Sequence, residues 1–284
     1  MNGPISTSLG TPKRHTDLLT SLILIASVTG LSLVPLIFNP DFYFYADTPE
    51  GAYGQWFELG TQLRSGVWPL MNPAAWMAGN YAAEGQWGLW NPLILLIAIG
   101  VSFANNALVV STLVKILFLL IGATGVYAVA RSYGAGPHWA FVAGLAAPFA
   151  GFTLFMDATS WVTNEMVWAF SAWTIWALRE FLLHRRSIAW PAVLGYLLIT
   201  VGYVQGTIML ILFYAALIAD SLFRRQWRNL RPILMIGVVH GLFALTVYLP
   251  GVLTSSVTTR AAGVSNSGFM VLQLSGLATS ATGF

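Results

Sequence analysis

Asp47 is the residue whose type and position are best suited to catalysis in this chain. It lies nine residues beyond Phe38, where the first hydrophobic segment ends, and directly before Thr48, Pro49 and Glu50. A carboxylate at a membrane surface can take a proton from an attacking hydroxyl that lies within hydrogen-bonding reach. We therefore interpret Asp47 as a candidate general base. The alternative is a helix cap, because Asp-Thr-Pro is a favourable helix start.

Three further acids are candidates for binding a substrate. Glu50 is in the same loop as Asp47, whereas Asp157 and Glu165 bracket a later turn that also contains Asn164. Such groups could bind sugar hydroxyls or a divalent cation such as Mg²⁺ or Mn²⁺. No metal-ligand spacing motif is present, so no particular metal is indicated. The alternative for each of these acids is a solvated polar turn.

Two basic residues could contact a phosphate. Lys115 lies nine residues into a hydrophobic segment, where a charge costs about 2.5–3.5 kcal/mol to insert. We predict that it points into the protein, either as a phosphate ligand or in a structural ion pair. Arg260 follows a run of serines and threonines, and a guanidinium can bind phosphate through two hydrogen bonds. The alternative for Arg260 is an ordinary interfacial arginine.

The composition indicates an integral membrane protein. Of the 284 residues, 57% are hydrophobic and only 8% are charged, whereas a soluble domain carries about 25% charged residues. The basic residues form short clusters beside hydrophobic segments, which is typical of membrane topology and not of a nucleic-acid-binding face. Membrane lipids are therefore expected partners and nucleic acid is not. The chain contains no cysteine, which excludes disulfides and thiol chemistry.

The hydrophobic segments predict an all-α bundle that crosses the membrane several times, because about 20 apolar residues are needed per crossing. Segment 92–104 is only about 13 residues long, which favours a re-entrant or interfacial segment. The first segment is longer than the apolar region of a signal peptide and predicts an uncleaved helix. The predicted spans are 18–38, 106–130, 138–156, 160–183, 188–204, 206–223 and 232–253.

The distribution of charge predicts the topology. With segment 92–104 not crossing, ten of the 13 basic residues fall on one side of the membrane. The positive-inside rule then places the N-terminus in the cytoplasm and the 39–105 loop outside. In residues 50–66, polar residues are interspersed among apolar ones at a spacing that favours an amphipathic helix in the headgroup plane. We interpret 1–284 as a single transmembrane domain, the N-terminal part of a longer protein.

A series of motifs gives the chain a family resemblance. Asp47 is followed by Gly66-Val67-Trp68-Pro69, Gly79-Asn80 and Asn91-Pro92-Leu93, then by Lys115, and finally by Leu249-Pro250 leading to Ser255 and Arg260. In this order the motifs resemble the YfhO-like family of bacterial membrane proteins, which is placed among the GT-C fold glycosyltransferases. The sequence departs from many GT-C enzymes in having a single Asp followed by Thr-Pro-Glu, where they show paired acids or Asp-Gln.

The resemblance implies a multi-pass enzyme of the bacterial plasma membrane with its active site outside the cytoplasm. Such an enzyme transfers a sugar from a polyprenyl-phosphate carrier to a cell-envelope glycan or lipid. Asp47 matches the catalytic acid of the first outer loop, and Asn80, Lys115 and Arg260 match further motif positions. A transporter or flippase for a lipid-linked or amphipathic substrate is the main alternative. A non-catalytic assembly subunit is a third hypothesis.

Overall fold

The computed structural model describes residues 14–73, 80–184 and 186–254. Within these residues the chain is built from α-helices, and an isolated bridge between Met71 and Asn80 is the only β-type pairing. The helices are α1 (Arg14–Phe38), α2 (Tyr53–Arg64), α3 (Tyr81–Glu84), α4 (Pro92–Ser102), α5 (Ala107–Ser132), α6 (Pro137–Ala146), α7 (Val162–His184), α8 (Ala189–Thr200), α9 (Val204–Phe223) and α10 (Leu230–Leu253).

Four of the described helices are long and apolar enough to cross a bilayer, namely α1, α5, α9 and α10. Their outward faces are covered with leucine, isoleucine, valine and phenylalanine side chains that stay exposed in the isolated chain. Lipid tails would solvate such a surface, whereas water would not. The prediction of an all-α membrane protein is therefore confirmed. Helix α7 also has the length for a crossing, with 23 residues, but it carries Glu165, Arg179 and Glu180.

Two predicted spans do not form single helices long enough to cross a bilayer. Segment 138–156 contains α6, then a 3₁₀ turn at Ala147–Phe149, an extended Ala150 and a π-helical turn at Thr153–Asp157. Pro148 explains the break, because proline has no N–H for an α-helical hydrogen bond and its ring clashes with the preceding turn. Segment 188–204 contains α8, which has only 12 residues and is about 18 Å long.

Helix α4 is a short helix, as predicted for segment 92–104. Asn91 accepts hydrogen bonds from the N–H groups of Leu93 and Ile94 and so caps its start. Its 11 residues give a length of about 16 Å, roughly half of the hydrocarbon core. The predicted amphipathic helix is α2, and its apolar side packs on α4. A Cβ on Gly60 would lie only 1.9 Å from the Ala98 carbonyl oxygen, so the two backbones are in direct contact.

Helices α5 and α7 form a parallel pair at the centre of the bundle. Phe118 packs edge-on against Phe170, and a Cβ on Gly122 would collide with the Trp168 ring. Near the far ends of both helices, the Arg179 side chain of α7 donates to the Ser132 carbonyl of α5 at 3.0 Å. Together with the contact between Phe118 and Phe170, this shows that α5 and α7 run in the same direction, with contacting residues about 50 positions apart. This register places Lys115 of α5 at the level of the first turn of α7.

The two ends of the bundle differ in charge. All ion pairs among the described residues lie at the end where α5 and α7 finish. They include Arg131 with Asp17 at 2.9 Å and Arg224 with Asp220 at 2.7 Å. The opposite end carries the loops that follow α1 and precede α5. The positive-inside rule predicts that the ion-paired end faces the cytoplasm.

Cysteine labelling tests this orientation directly, because the natural chain has no cysteine. Ser65 and Ser187 are both exposed, and we predict that they lie on opposite sides of the membrane. In right-side-out vesicles, Ser65→Cys should react with a membrane-impermeant maleimide, and Ser187→Cys should react only after permeabilisation. Reaction of both variants from the outside would contradict the topology.

Candidate functional site

The loop that carries Asp47 is held in place by the turn before α7. The Thr48 hydroxyl lies 3.1 Å from the carbonyl oxygens of both Thr159 and Ser160, to which it donates. The Asp47 N–H donates to the Ser160 hydroxyl at 3.2 Å, and the Tyr45 N–H donates to the Thr159 carbonyl at 3.4 Å. These contacts join segments more than 100 residues apart. They leave the Asp47 carboxylate in a defined position at the end of the bundle.

The backbone at this loop is strained. Ala46 has φ of 45°, a left-handed conformation that costs a non-glycine residue about 1–3 kcal/mol. Two π-helical turns, Thr48–Ala52 and Thr153–Asp157, border the same region. Strained residues and π-helical turns both occur frequently at functional sites. The surrounding hydrogen bonds maintain the strain, which supports a functional role for the conformation.

The Asp47 carboxylate is exposed and does not cap the following turn. The helix-cap alternative is therefore wrong. The Asp47 carboxylate forms no hydrogen bond or ion pair with any side chain in the described ranges. It lies instead on the wall of a cavity of about 480 Å³. The polar residues that line this cavity are Asp47, Glu50, Gln86, Ser160, Thr163 and Tyr203.

The opposite wall of the cavity depends on a contact between two glycines. Gly202 follows α8 with φ of 80°, and a Cβ there would lie 1.8 Å from the Gly85 carbonyl oxygen. This close approach brings Gln86 and Trp87 beside Tyr203. Burial raises the pKa of Tyr203, and the charges of Asp157 and Asp47 raise it further.

Replacing Gly202 by alanine should disrupt this wall. The new methyl group would collide with backbone, and alanine is disfavoured at φ of 80°. We expect a loss of about 1–3 kcal/mol in stability, visible as a lower melting temperature, together with weaker ligand binding. Gly237→Ala is the matched control, because a Cβ at Gly237 meets nothing within 4 Å. Equal melting temperatures for the two variants would contradict this account.

Lys115 lies beneath the Asp47 loop. Its side chain is 1% exposed, and its ammonium group donates to the Thr48 hydroxyl at 2.7 Å. The predicted burial of Lys115 is confirmed. Asp157 and Glu165 are the acids that act electrostatically on it. Lys115 does not line the Asp47 cavity, so it contacts this site through Thr48.

The fold places Asp157 and Glu165 close to Lys115, and neither acid lines the cavity beside Asp47. Asp157 is 2% exposed and accepts a hydrogen bond from the Asn164 amide at 2.8 Å. Burial raises its pKa to about 7, against the opposing effects of this hydrogen bond and of the Lys115 charge. Glu165 is fully buried, and neither of its carboxylate oxygens has a hydrogen-bond partner among the described residues. The three groups form a buried charge cluster.

The remaining candidates are dispersed. Glu50 lines the cavity with Asp47, but Asn80 caps α3 by accepting a hydrogen bond from the Ala83 N–H at 3.0 Å. Arg260 lies outside the described residues. His240, a further ionisable residue buried in α10, lies within hydrogen-bonding distance of the Tyr214 hydroxyl and of the Pro191 carbonyl, which is the arrangement of a core histidine with its polar groups satisfied. In the described ranges, no group of three or more His, Cys, Asp or Glu side chains could hold a metal ion.

Several residues of the site were not singled out by sequence reasoning. Thr48, Ser160 and Tyr203 are ordinary polar residues, and only their position in the fold makes them part of the site. The nearest signal in the sequence is the run Thr159-Ser160-Trp161, which interrupts two apolar stretches.

Fold and site together define a polytopic all-α membrane protein with an acidic cavity at the end of the bundle opposite the ion pairs. Comparison with protein-family models, with curated proteins and with solved structures gives no match.

Proposed function

We propose that the protein is a membrane glycosyltransferase of the GT-C type, with Asp47 as its general base. The donor is a polyprenyl-phosphate-linked sugar, and the acceptor is a cell-envelope glycan or lipid at the outer face of the bacterial plasma membrane. The observation that carries this proposal is the unpaired Asp47 carboxylate, held by a strained and hydrogen-bonded loop on the wall of a cavity.

The chemistry requires a base close to the acceptor. An acceptor hydroxyl attacks the anomeric carbon of the donor, and its proton passes to the Asp47 carboxylate. The bond between the anomeric carbon and the phosphate oxygen breaks, and the phosphate leaves with the electron pair. Inversion at the anomeric carbon follows from a single displacement. Positively charged groups stabilise such a leaving group, and Arg260 is the residue that we assign to this role.

Lys115 supports the same site from below. It donates to the Thr48 hydroxyl, and Thr48 in turn donates to the carbonyl of Thr159, in the turn that positions Asp47. We assign Lys115 to positioning of the Asp47 loop in place of direct phosphate contact, because it is buried and absent from the cavity wall.

A transfer assay tests the proposal. Purified protein, extended to its full natural length if the chain continues, is incubated with a radiolabelled polyprenyl-phosphate sugar and an envelope extract as acceptor source. We expect radiolabel to move from the carrier to a water-soluble or lipid acceptor with release of polyprenyl phosphate. Release of water-soluble free sugar alone would indicate hydrolysis and contradict the transferase proposal.

The buried charge cluster favours a transporter or flippase as the second candidate. Lys115, Asp157 and Glu165 are each at most 2% exposed, and ionisable groups buried in a membrane bundle often mark a transport path. Reconstituted protein should then move a fluorescent lipid-linked sugar between leaflets, without breaking its phosphate bond. A transferase would instead break the bond between the sugar and the carrier phosphate. Assaying the same reconstituted sample for cleavage of this bond therefore separates the two candidates.

A further inference from the structure

We infer that the cavity beside Asp47 is a saccharide-binding site that selects uncharged or amine-bearing sugars over phosphorylated ones. Its assignment as the acceptor site rests on the proposed function, but the binding preference does not. The inference follows from the free hydrogen-bonding groups of the wall, from its two tryptophans and from its charge.

The cavity wall presents polar groups without partners in the protein. The side chains of Asp47, Glu50, Gln86, Thr163 and Tyr203 line it, and none of them makes a side-chain hydrogen bond within the described ranges. Asp47 and Glu50 are exposed and the other three residues are half-buried, so the polar groups of all five side chains remain available to a ligand. Carboxylates, an amide and hydroxyls are the groups that hydrogen-bond sugar hydroxyls.

Two tryptophans give the same cavity an apolar component. Trp87 donates from its indole N–H to Glu84 at 2.7 Å, and Trp161 packs edge-on against Phe152 with ring centroids 6.4 Å apart. Both rings line the cavity and remain partly exposed. Pre-oriented aromatic rings offer flat apolar surfaces, on which the C–H face of a sugar ring can stack. Apolar faces combined with convergent polar groups are typical of small-molecule sites.

Charge and size narrow the class of ligand. The wall contains the carboxylates of Asp47 and Glu50 and no lysine, arginine or histidine among its described residues. A phosphate would be repelled by these two groups, and an ammonium group would be attracted. The volume of about 480 Å³ lies within the range of about 300–1,000 Å³ that is usual for small ligands. The donor phosphate therefore binds elsewhere.

Binding of soluble sugars with the same ring tests the inference. Titration calorimetry on the detergent-solubilised full chain would compare methyl glucoside, glucosamine and glucose 6-phosphate at one pH and ionic strength. We expect glucosamine to bind about fivefold more tightly than methyl glucoside, and glucose 6-phosphate to bind at least fivefold more weakly. Glu50→Gln should reduce the preference for glucosamine, because it removes one of the two charges.

A pair of tryptophan variants locates the site. Trp161→Ala should weaken binding of methyl glucoside about tenfold or more, whereas Trp190→Ala should not change it, because Trp190 is an exposed residue of α8 away from the cavity. Glucose 6-phosphate binding as tightly as methyl glucoside would overturn the inference, and so would equal effects of the two tryptophan variants. Sugar binding without any transfer activity would refute the glycosyltransferase proposal and leave the saccharide site standing.

Discussion

Asp47→Asn is expected to lower the rate of sugar transfer by about a hundred- to ten-thousand-fold, the usual contribution of a positioned general base. Asparagine keeps the size of the side chain but cannot accept the proton of the acceptor hydroxyl. The backbone N–H of residue 47 would still donate to Ser160, so the loop should keep its conformation. Single-turnover transfer measured with radiolabelled donor gives the rate without interference from product release.

Asp41→Asn is the matched control for this variant. Asp41 is also an exposed acid of the loop after α1, but it does not line the cavity. It should retain wild-type transfer, and both variants should keep the wild-type melting temperature. Transfer by Asp47→Asn at a near wild-type rate would leave Asp47 without a catalytic role and direct attention to the buried acids Asp157 and Glu165.

Lys115→Met should have the largest effect on stability. Removal of one partner from a buried charge group typically costs about 3–5 kcal/mol, because the remaining charges stay buried without compensation. Here the variant leaves Asp157 and Glu165 without their cation and Thr48 without a hydrogen-bond donor. Denaturant unfolding in detergent, followed by tryptophan fluorescence, measures the loss.

The loss of stability caused by Lys115→Met should increase with pH. The pKa of Asp157 is raised from its ordinary value of 3.8 to about 7 in the folded chain, so the folded state binds the proton more tightly than the unfolded state. Stability that depends on this proton is present at low pH and is lost as the pH rises towards 7. Without Lys115, which favours the ionised acid, this loss should be larger. Lys115→Met should therefore be closest to wild type at pH 5.

A double variant shows whether charge compensation is the cause. Lys115→Met combined with Glu165→Gln should be more stable than Lys115→Met alone, because one uncompensated carboxylate is removed. Glu165→Gln alone should also lower stability, because it removes one of the two carboxylates that compensate the buried Lys115 ammonium. Equal stability of Lys115→Met and the wild type at pH 8 would show that the cluster contributes no charge balance.

The four helices that are long and apolar enough to cross a bilayer, α1, α5, α9 and α10, were predictable from the sequence to within a few residues. Each depends on a long run of apolar residues, and this requirement of the bilayer acts on the local segment. The exposed position of Asp47 was predictable for the same reason, because a charged loop beyond the first span must stay in contact with water. The shortness of α4 also follows from the length of its apolar run.

The broken course of segment 138–156 and the shortness of α8 were decided by local geometry that hydropathy does not register. Pro148 and Gly202 end or interrupt helices in stretches that remain apolar. Average hydrophobicity over a window is almost unchanged by one such residue, although the hydrogen-bonding pattern of the backbone is broken there.

The candidate site itself depended on tertiary structure. The contact between Lys115 and Thr48 spans 67 residues, and the contacts between Thr48 and the Thr159–Ser160 turn span more than 100. The sequence by itself determined which residues carry charge in an apolar chain and that such charges need partners. Only the parallel packing of α5 with α7 decided the partners, because side chains far apart in sequence meet through the register of packed helices.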